Sequence, residues 1–474
     1  MQKTIISLVL LTSFGFYYNA RAQSQVAMNE IRVEAPFEMP VIKIPDFEKC
    51  KKLFIVDYGA VPENQGKTTR AIALAIEEAN KMGGGTVVIP KGEWLTGQVH
   101  FKSNVNLQLN KGAVLHFSEN PADYLPAVHS SWEGLECYNY SPLIYAYQCK
   151  NIAITGQGEI KAKMDVWTKW FDRSSGHMNS LKRLYYLSVN NIPVNERQMI
   201  NDTAHFRPQF IQINRCENVL LNGIKITNSP FWTVHFYLSK NIVVRNLNEY
   251  AHGHNSDGID MEMCQKVLIE NCVFDQGDDA IVVKSSRNPE GWRIKTPSKN
   301  IVVRNCTVKK GHQLLAIGSE LSGGIENVFM NNCTATDGGK SGIFHVVFIK
   351  TNERMGGFVK NIHVNNIHAE KAQNGILGID TDVLYQWRNL VPTTERRLTL
   401  IKDIYLENIK VRNVDFVAKL TGQKELPIEN VFLKNVTADT IRGNQKYIQK
   451  NVINFKHDSF SPSVIYTPKN TNSK

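Results

Sequence analysis

The sequence predicts an all-β chain wound as a single-stranded, right-handed parallel β-helix with a capping helix at its N-terminal end. Three observations carry that prediction. A phrase of polar residue, Asn, aliphatic, any, aliphatic, any, Asn recurs through the second half of the 474 residues. Its apolar positions alternate with period two, the spacing of a half-buried strand, which excludes helical repeats of period 3.6. Successive copies begin about 23 to 27 residues apart where no loop intervenes, the length of one solenoid coil.

The elements follow in chain order. Met1 to Ala22 has a basic Lys3, an apolar run from Ile5 to Phe16 and an Ala20-Arg21-Ala22 end, the pattern of a cleavable signal peptide. The run is shorter than the ~20 apolar residues a membrane span needs. An exported protein, periplasmic or extracellular and not inserted in a membrane, is expected. Thr68 to Met82 carries Ala71, Ile72, Leu74, Ala75, Ile76 and Ala79 at near-helical spacing and stops at Gly83-Gly84-Gly85, so a helix is expected there to cover the first coil. Thr86–Pro90, Glu93–Gln98 and Val105–Gln108 read as strands.

A weak copy of the phrase starts at Asn151-Ile152. Clear copies start at Asn218, Asn241, Lys266, Asn300, Asn327, Asn361, Asp403 and Asn430. Leucine-rich repeats share the length but need a Leu-x-x-Leu-x-Leu frame that is missing. The Asn side chains are expected to satisfy turn backbone groups. The period breaks between Asn151 and Asn218, where an insert holds Trp167, Trp170, Phe171, Tyr185 and Tyr186. Inserts on one face of a solenoid commonly border its binding groove, and packing against the barrel is the expected role of most of these aromatics. With no Pro/Gly/Ser linker, residues 23–474 read as one catalytic domain with loop insertions around 120–150 and 160–215, and the expected state is a monomer. The polar tail after Ser459 has no pattern of its own.

Composition narrows the partners. The chain has 55 Lys+Arg against 44 Asp+Glu, a net charge of +11, which favours acidic polymers. No basic block with interleaved aromatics points to nucleic acid. Eight cysteines do not form a disulfide framework. Cys272, Cys306 and Cys333 each follow Asn at one position of the repeat and read as a stacked, buried ladder. Cys137 and Cys149 are the pair to test for a bridge. No Cys–His constellation suggests a metal, and no cofactor is expected.

The chemistry lies in His254-Asn255-Ser256-Asp257-Gly258-Ile259-Asp260 and Gly277-Asp278-Asp279-Ala280. An isolated Asp-Asp is most often a turn. Here three carboxylates, Asp257, Asp278 and Asp279, fall at equivalent points of successive coils. Hydrolysis of a glycosidic bond needs such a set, one acid for the leaving oxygen and one base for water. Crowded carboxylates cannot all ionise cheaply, so one of them is expected to hold a proton.

These motifs resemble family 28 of the glycoside hydrolases, the polygalacturonase family, over nearly the whole chain after the leader. Val56-Asp57-Tyr58-Gly59-Ala60 through Gly84-Gly85-Thr86-Val87-Val88-Ile89-Pro90 resembles the opening of many pectin-active β-helices. Asn255-Ser256-Asp257 matches the family's Asn-Thr-Asp, and Gly277-Asp278-Asp279 its Gly-Asp-Asp. Gly311-His312-Gln313 stands where Gly-His-Gly is usual, and Phe348-Ile349-Lys350 where Arg-Ile-Lys is usual. Arg293-Ile294-Lys295 spells the last motif but precedes His312, in a segment, Ser286–Ser298, that reads as a loop.

The resemblance implies an inverting hydrolase of acidic pectic polysaccharide or oligosaccharide. Asp278 is then the general acid, and Asp257 with Asp279 holds and deprotonates water, with acid and base roughly 6.5–9.5 Å apart. His312 tunes the acid or holds substrate, and Lys350 pairs with a sugar carboxylate. Asn255, Gln313, Lys350 and Arg354 fall to substrate binding, Arg354 as a replacement for the missing motif arginine. Phe348 cannot grip a uronate as Arg does, so the leaving side is expected to meet a neutral sugar or a differently held uronate. With the long insert, this favours exo-acting release of galacturonic acid. Two other functions share the fold. A Ca²⁺-dependent lyase would leave an unsaturated product, and a non-catalytic carbohydrate-binding β-helix would bind without turnover.

Overall fold

The repeat becomes structure through one column of β-branched and aliphatic residues. Val219, Ile242, Val267, Ile301, Val328, Ile362, Ile404 and Val431 pair each with the next in parallel register from coil to coil. All of them are buried. Each such side chain contributes about 1.5–3 kcal/mol of burial, and its stiff χ1 suits the pleated wall. The computed structural model describes residues 26–201, 203–336, 342–383 and 395–458. The expected signal peptide at Met1–Ala22 and the tail after Ser459 lie outside the described residues. Within them the chain is a right-handed parallel β-helix whose apolar interior runs continuously from Leu53 to Ile441.

The Asn of the phrase does something other than cap turn backbone. Asn104, Asn151, Asn218 and Asn241 all have positive φ, between 53° and 64°, a left-handed conformation that Asn tolerates better than most residues. Their amides bond to each other, Asn151 Nδ2 to Asn104 Oδ1 at 2.8 Å, Asn218 to Asn151 at 2.8 Å and Asn241 to Asn218 at 2.9 Å. The ladder resumes with Asn327 on Asn300 at 2.9 Å and Asn361 on Asn327 at 2.7 Å. One side chain therefore both permits the turn and ties it to the neighbouring coil.

Helix α1, Gln65–Lys81, lies where its spacing placed it. It starts at Asn64, whose side chain accepts from Lys67 N, and buries Ala71, Ile72, Ala75, Ile76 and Ala79 against the strands Gly85–Ile89 and Gly92–Thr96. All eight cysteines are free thiols and buried. The proposed Cys137–Cys149 bridge is absent: Cys137 lies in the antiparallel hairpin Val128–Trp132/Leu135–Asn139, and Cys149 N meets Cys216 Sγ at 3.3 Å.

The insert has its own core. The hairpin packs with helix α2, Ser175–Val189, around Trp132, Leu184, Tyr185, Phe206 and Phe231. Trp132 stacks between Phe206 and Phe231, at 4.5 and 4.3 Å. Trp167 and Tyr185 are buried, whereas Tyr186 is exposed. The segment after the Asp-Asp motif is not all loop: it forms helix α3, Asn288–Ile294, with Pro289 in its first turn. Pro is preorganised for that position because its missing N–H has no partner to lose. Arg293 pairs with Glu290 and Glu136 there, joining α3 to the hairpin. A feature with no sequence signal is the outer hairpin Ala27–Ile31/Ile42–Asp46, whose Ile42 and Ile44 pack on Leu220, Val243 and Leu268.

Candidate active site

Strand register brings the motif residues together. Ile259 pairs with Ile281 and Ile281 with Leu315. Just upstream, Asp257 therefore stacks on Asp279 and Asp279 on Gln313, while Asp278 stacks on His312. Backbone bonds hold this arrangement: Gly258 N donates to Asp279 O at 3.0 Å, and His312 N to Asp278 O at 2.8 Å. The Ser256 hydroxyl ties the two motifs, donating to Gly253 O at 3.0 Å and accepting from Gly277 N at 3.2 Å. Ser in place of Thr keeps that link.

The two columns differ in depth. Asp257 and Asp279 are 3% and 1% exposed, and the Oδ1 of each is buried with no hydrogen-bond partner among the described residues. Asp278 and His312 sit nearer solvent, paired through Oδ1 and Nδ1 at 2.9 Å. Lys350 Nζ lies 2.8 Å from Asp279 Oδ2, so the lysine expected on a sugar carboxylate is engaged with a carboxylate of the site. Oxygen atoms of Asp278 and Asp279 come within 4.8 Å of each other and of the His312 ring nitrogen. That is closer than the roughly 6.5–9.5 Å of an ordinary inverting pair, because the two aspartates are neighbours in one turn. The same cluster has a spacing that would suit a cation, a role Lys350 fills on the Asp279 side.

Burial pushes the Asp257 carboxyl well above its usual range, and the charges of Asp260 and Asp278 add to it. Asp260 rises to about 8, again by burial, against the pull of Lys284. Asp278 goes the other way: burial would raise it, but the His312 hydrogen bond and charge, with Lys350 and Lys284, hold it at about 2. For His312, burial is outweighed by Asp278 and the imidazole is raised. Of the three motif carboxyls, Asp257 is therefore the one whose protonated form burial favours most, and within the Asp278–His312 pair the charged forms of both groups are favoured.

These residues line a cleft of about 490 Å³. Asn255 is there, its Oδ1 accepting from Arg207 Nη2 at 3.0 Å. Arg207 also donates to His254 O at 2.6 Å and Pro230 O at 2.7 Å, which fixes the turn carrying Asp257. Gln313 lines the cleft with its Oε1 on His345 Nδ1 at 2.9 Å. Arg354 is not among the lining residues; its carbonyl accepts from Asn288 Nδ2 at 2.7 Å.

Sequence reasoning missed Glu133, Arg173, Trp232, Lys284, Arg287 and Glu320 in the lining. Lys284 had a signal: period two from Ile281 and Val283, which face the core, puts Lys284 outward. Glu133 had none. It tips the insert hairpin, where Gly134 O accepts from Ser286 Oγ at 2.6 Å and from Arg287 N at 3.3 Å. Gly134 has φ +87°, and a Cβ there would lie 2.9 Å from Arg287 Cβ, so only glycine allows this approach. Beneath the hairpin, Ser130 Oγ bonds Gln212 Oε1 at 3.0 Å and Asn214 Nδ2 bonds His129 O at 3.0 Å. The outward sheet face on the N-terminal side of the aspartates is therefore filled.

Comparisons with known proteins agree with one another. The family model of Glycosyl hydrolases family 28 matches residues 194–459. A probable polygalacturonase of Vitis vinifera is 28% identical over 399 residues, 81% of this chain and 73% of that protein. The exo-poly-alpha-D-galacturonosidase of Dickeya chrysanthemi is 25% identical over 311 residues, 60% of this chain and 50% of the relative. Among solved structures, a hyperthermoactive exopolygalacturonase from Thermotoga maritima superposes with a TM-score of 0.78 at 31% identity, covering 88% of this chain and 93% of its own.

Proposed function

The chain belongs to family 28 of the glycosyl hydrolases, and we propose that within it this pectin-hydrolysing glycoside hydrolase works from a chain end, releasing galacturonic acid. The observation that carries this reading is the closed end of the cleft. The hairpin tip at Glu133 and Gly134, bonded to Ser286 and Arg287, stands on the N-terminal side of the aspartates, and among the described residues the lining continues toward the C-terminal coils. A chain that must stop at a wall presents its terminal residue to the catalytic groups.

The chemistry divides between the two columns. The Asp278–His312 pair holds one proton and gives it to the glycosidic oxygen as the C–O bond breaks. His312 is the reservoir, and Asp278 is the group facing the leaving oxygen. Asp257 and Asp279 hold a water on their unpartnered Oδ1 atoms, and the pair takes its proton as the new C–O bond forms. Lys350 holds Asp279 in place, its Nζ 2.8 Å from Oδ2. Attack on the face opposite the leaving group inverts the anomeric centre.

Product analysis tests this. The purified protein, incubated with galacturonan and with rhamnose-containing pectic oligosaccharides, is expected to release saturated galacturonic acid as the first product, as the anomer opposite to the cleaved linkage by NMR. Mixed oligomers at early times would overturn the end-acting reading. An ultraviolet-absorbing unsaturated product would make it a lyase, and retained binding without turnover a binding module.

A further inference from the structure

The two sides of the catalytic aspartates differ in chemistry. Toward the closed end the cleft is lined by Arg173, Lys284 and Arg287 together with Glu133 and Glu320. Lys284 is paired with Asp260 and Glu320, and Arg287 with Glu320, so Arg173 is the cation that faces a ligand there. Toward the open end the described lining is Phe344, His345, Phe348 and Asn374, with Lys350 as its cation, and Lys350 is held by Asp279 at 2.8 Å. Phe348 and His345 form one slab, with ring centroids 4.6 Å apart and planes within 10°. Gly378 makes space for it: a Cβ at that position would come 2.8 Å from Phe348 Cδ2 and 3.1 Å from the His345 ring. Phe344 stacks on His312 at 4.7 Å. His345 is pushed down to about 3, by burial first and then by Lys350 and Lys419, so its ring is neutral.

A carboxylate laid against that slab would lose water and gain no charged partner, which disfavours it there. A neutral pyranose with an apolar face meets no such cost. The column continues outward: Phe348 pairs with Gly378 and Gly378 with Lys419, whose side chain is exposed. Lys419 therefore stands two coils past Phe348, roughly 9–10 Å at the usual strand spacing. Along the groove the order is cation, aromatic slab, cation.

Resting on the hydrolase reading above, we propose that the natural substrate alternates: a terminal uronate at the closed end, a neutral sugar such as a 6-deoxyhexose over Phe348 and His345, and a second uronate met by Lys419. The activity is then removal of galacturonate from a neutral neighbour, not from another galacturonate.

The test compares two trisaccharides, galacturonate–rhamnose–galacturonate and trigalacturonate, by kcat/KM. The rhamnose-containing substrate is expected to be better by roughly 10–100-fold, the discrimination one mismatched polar group gives. Phe348→Arg is expected to narrow that preference by about tenfold or reverse it. Lys419→Met, an exposed change that leaves the core untouched, is expected to raise KM for the rhamnose trisaccharide roughly two- to fivefold, as for an exposed ion pair. Trigalacturonate cleaved as well as or better than its partner overturns this inference and leaves the hydrolase standing. Cleavage of neither overturns both.

Discussion

The floor and the wall of the cleft are built by different means. On the floor, Asp257, Asp278, Asp279, His312 and Gln313 sit at or just before strand starts in consecutive coils, where parallel register brings them together, and Lys350, paired with Gly318, reaches Asp279 through its side chain. In the wall, contacts join residues far apart along the chain. Arg197 Nη1 bonds Glu290 Oε2 at 2.6 Å across 93 positions, and Ser286 Oγ reaches Gly134 O across 152. A repeat converts position in the phrase into position in space. An insert has no such rule, and its place depends on a buried charge network and a stack of aromatics. On the proposed function, the chemistry is assigned to the repeated part and the choice of substrate end to the insert.

The strongest way to break this comparison is at the floor. Asp278→Asn is expected to lower kcat by about 10²–10⁴-fold, the usual worth of a general acid, while the circular dichroism spectrum stays that of a β-helix. A variant retaining more than a tenth of wild-type kcat would remove Asp278 from proton delivery.

The wall comes next. Arg197 is buried, and besides Glu290 it bonds Ile192 O at 2.8 Å and Glu136 O at 3.2 Å. Arg197→Met strands Glu290 inside the insert, and breaking a buried pair on one side costs about 3–5 kcal/mol. Arg293 on Glu290 Oε1 at 3.0 Å offsets part of that. The expected result is a lower thermal midpoint, with oligomers joining the monomer among early products as the hairpin loosens. A destabilised variant that still yields only monomer would show that closure of the groove does not depend on this network.

How far each region could be read from the sequence follows from the same difference. The coil phrase and its period were enough for the fold, and the motifs for gathering Asp257, Asp278, Asp279 and His312 in one cleft, because Asn at a left-handed turn and β-branched residues in a stacked column are local requirements. Lys284 was readable from alternation alone. Glu133, Arg173, Arg287 and Arg207 were not, since nothing in Trp132-Glu133-Gly134 says which distant loop it meets. Arg354 failed for a related reason: closeness to Lys350 in sequence does not carry a loop residue into the cleft. The amide-to-amide Asn ladder was hidden too, because a turn-capping Asn and a ladder Asn have the same spacing.

A smaller effect is expected in the pH profile, which sharpens the division of roles on the floor. Asp257 is raised, so the water-holding pair loses its proton only well above the ordinary carboxylate range, and kcat/KM should rise through that titration. His312 is raised above the ordinary imidazole value, so the proton beside Asp278 persists to higher pH than on a free imidazole, and activity should fall about tenfold per pH unit beyond that titration. Each limb belongs to a coupled pair rather than to one residue. His312→Asn is expected to move the falling limb and leave the rising one; a falling limb unchanged in that variant would take the proton reservoir away from His312.

The smallest effect tests the claim that the floor rests on local rules. Asn327 has φ +57°, donates to Asn300 at 2.9 Å and accepts from Asn361 at 2.7 Å. Asn327→Ala loses both bonds, about 0.5–1.5 kcal/mol each, and also forces a Cβ residue without a polar side chain into the left-handed region, at about 1–2 kcal/mol. Asn327→Gly loses the same bonds without that second cost. The two variants should therefore differ by about 1–2 kcal/mol in urea unfolding, Ala being the less stable. Both should stay close to wild-type kcat, since each coil touches only its neighbours and this column lies on a different sheet from the aspartates. Equal stability of the two would mean that the recurring Asn is kept for its amide bonds alone, and that the turn itself would accept any residue.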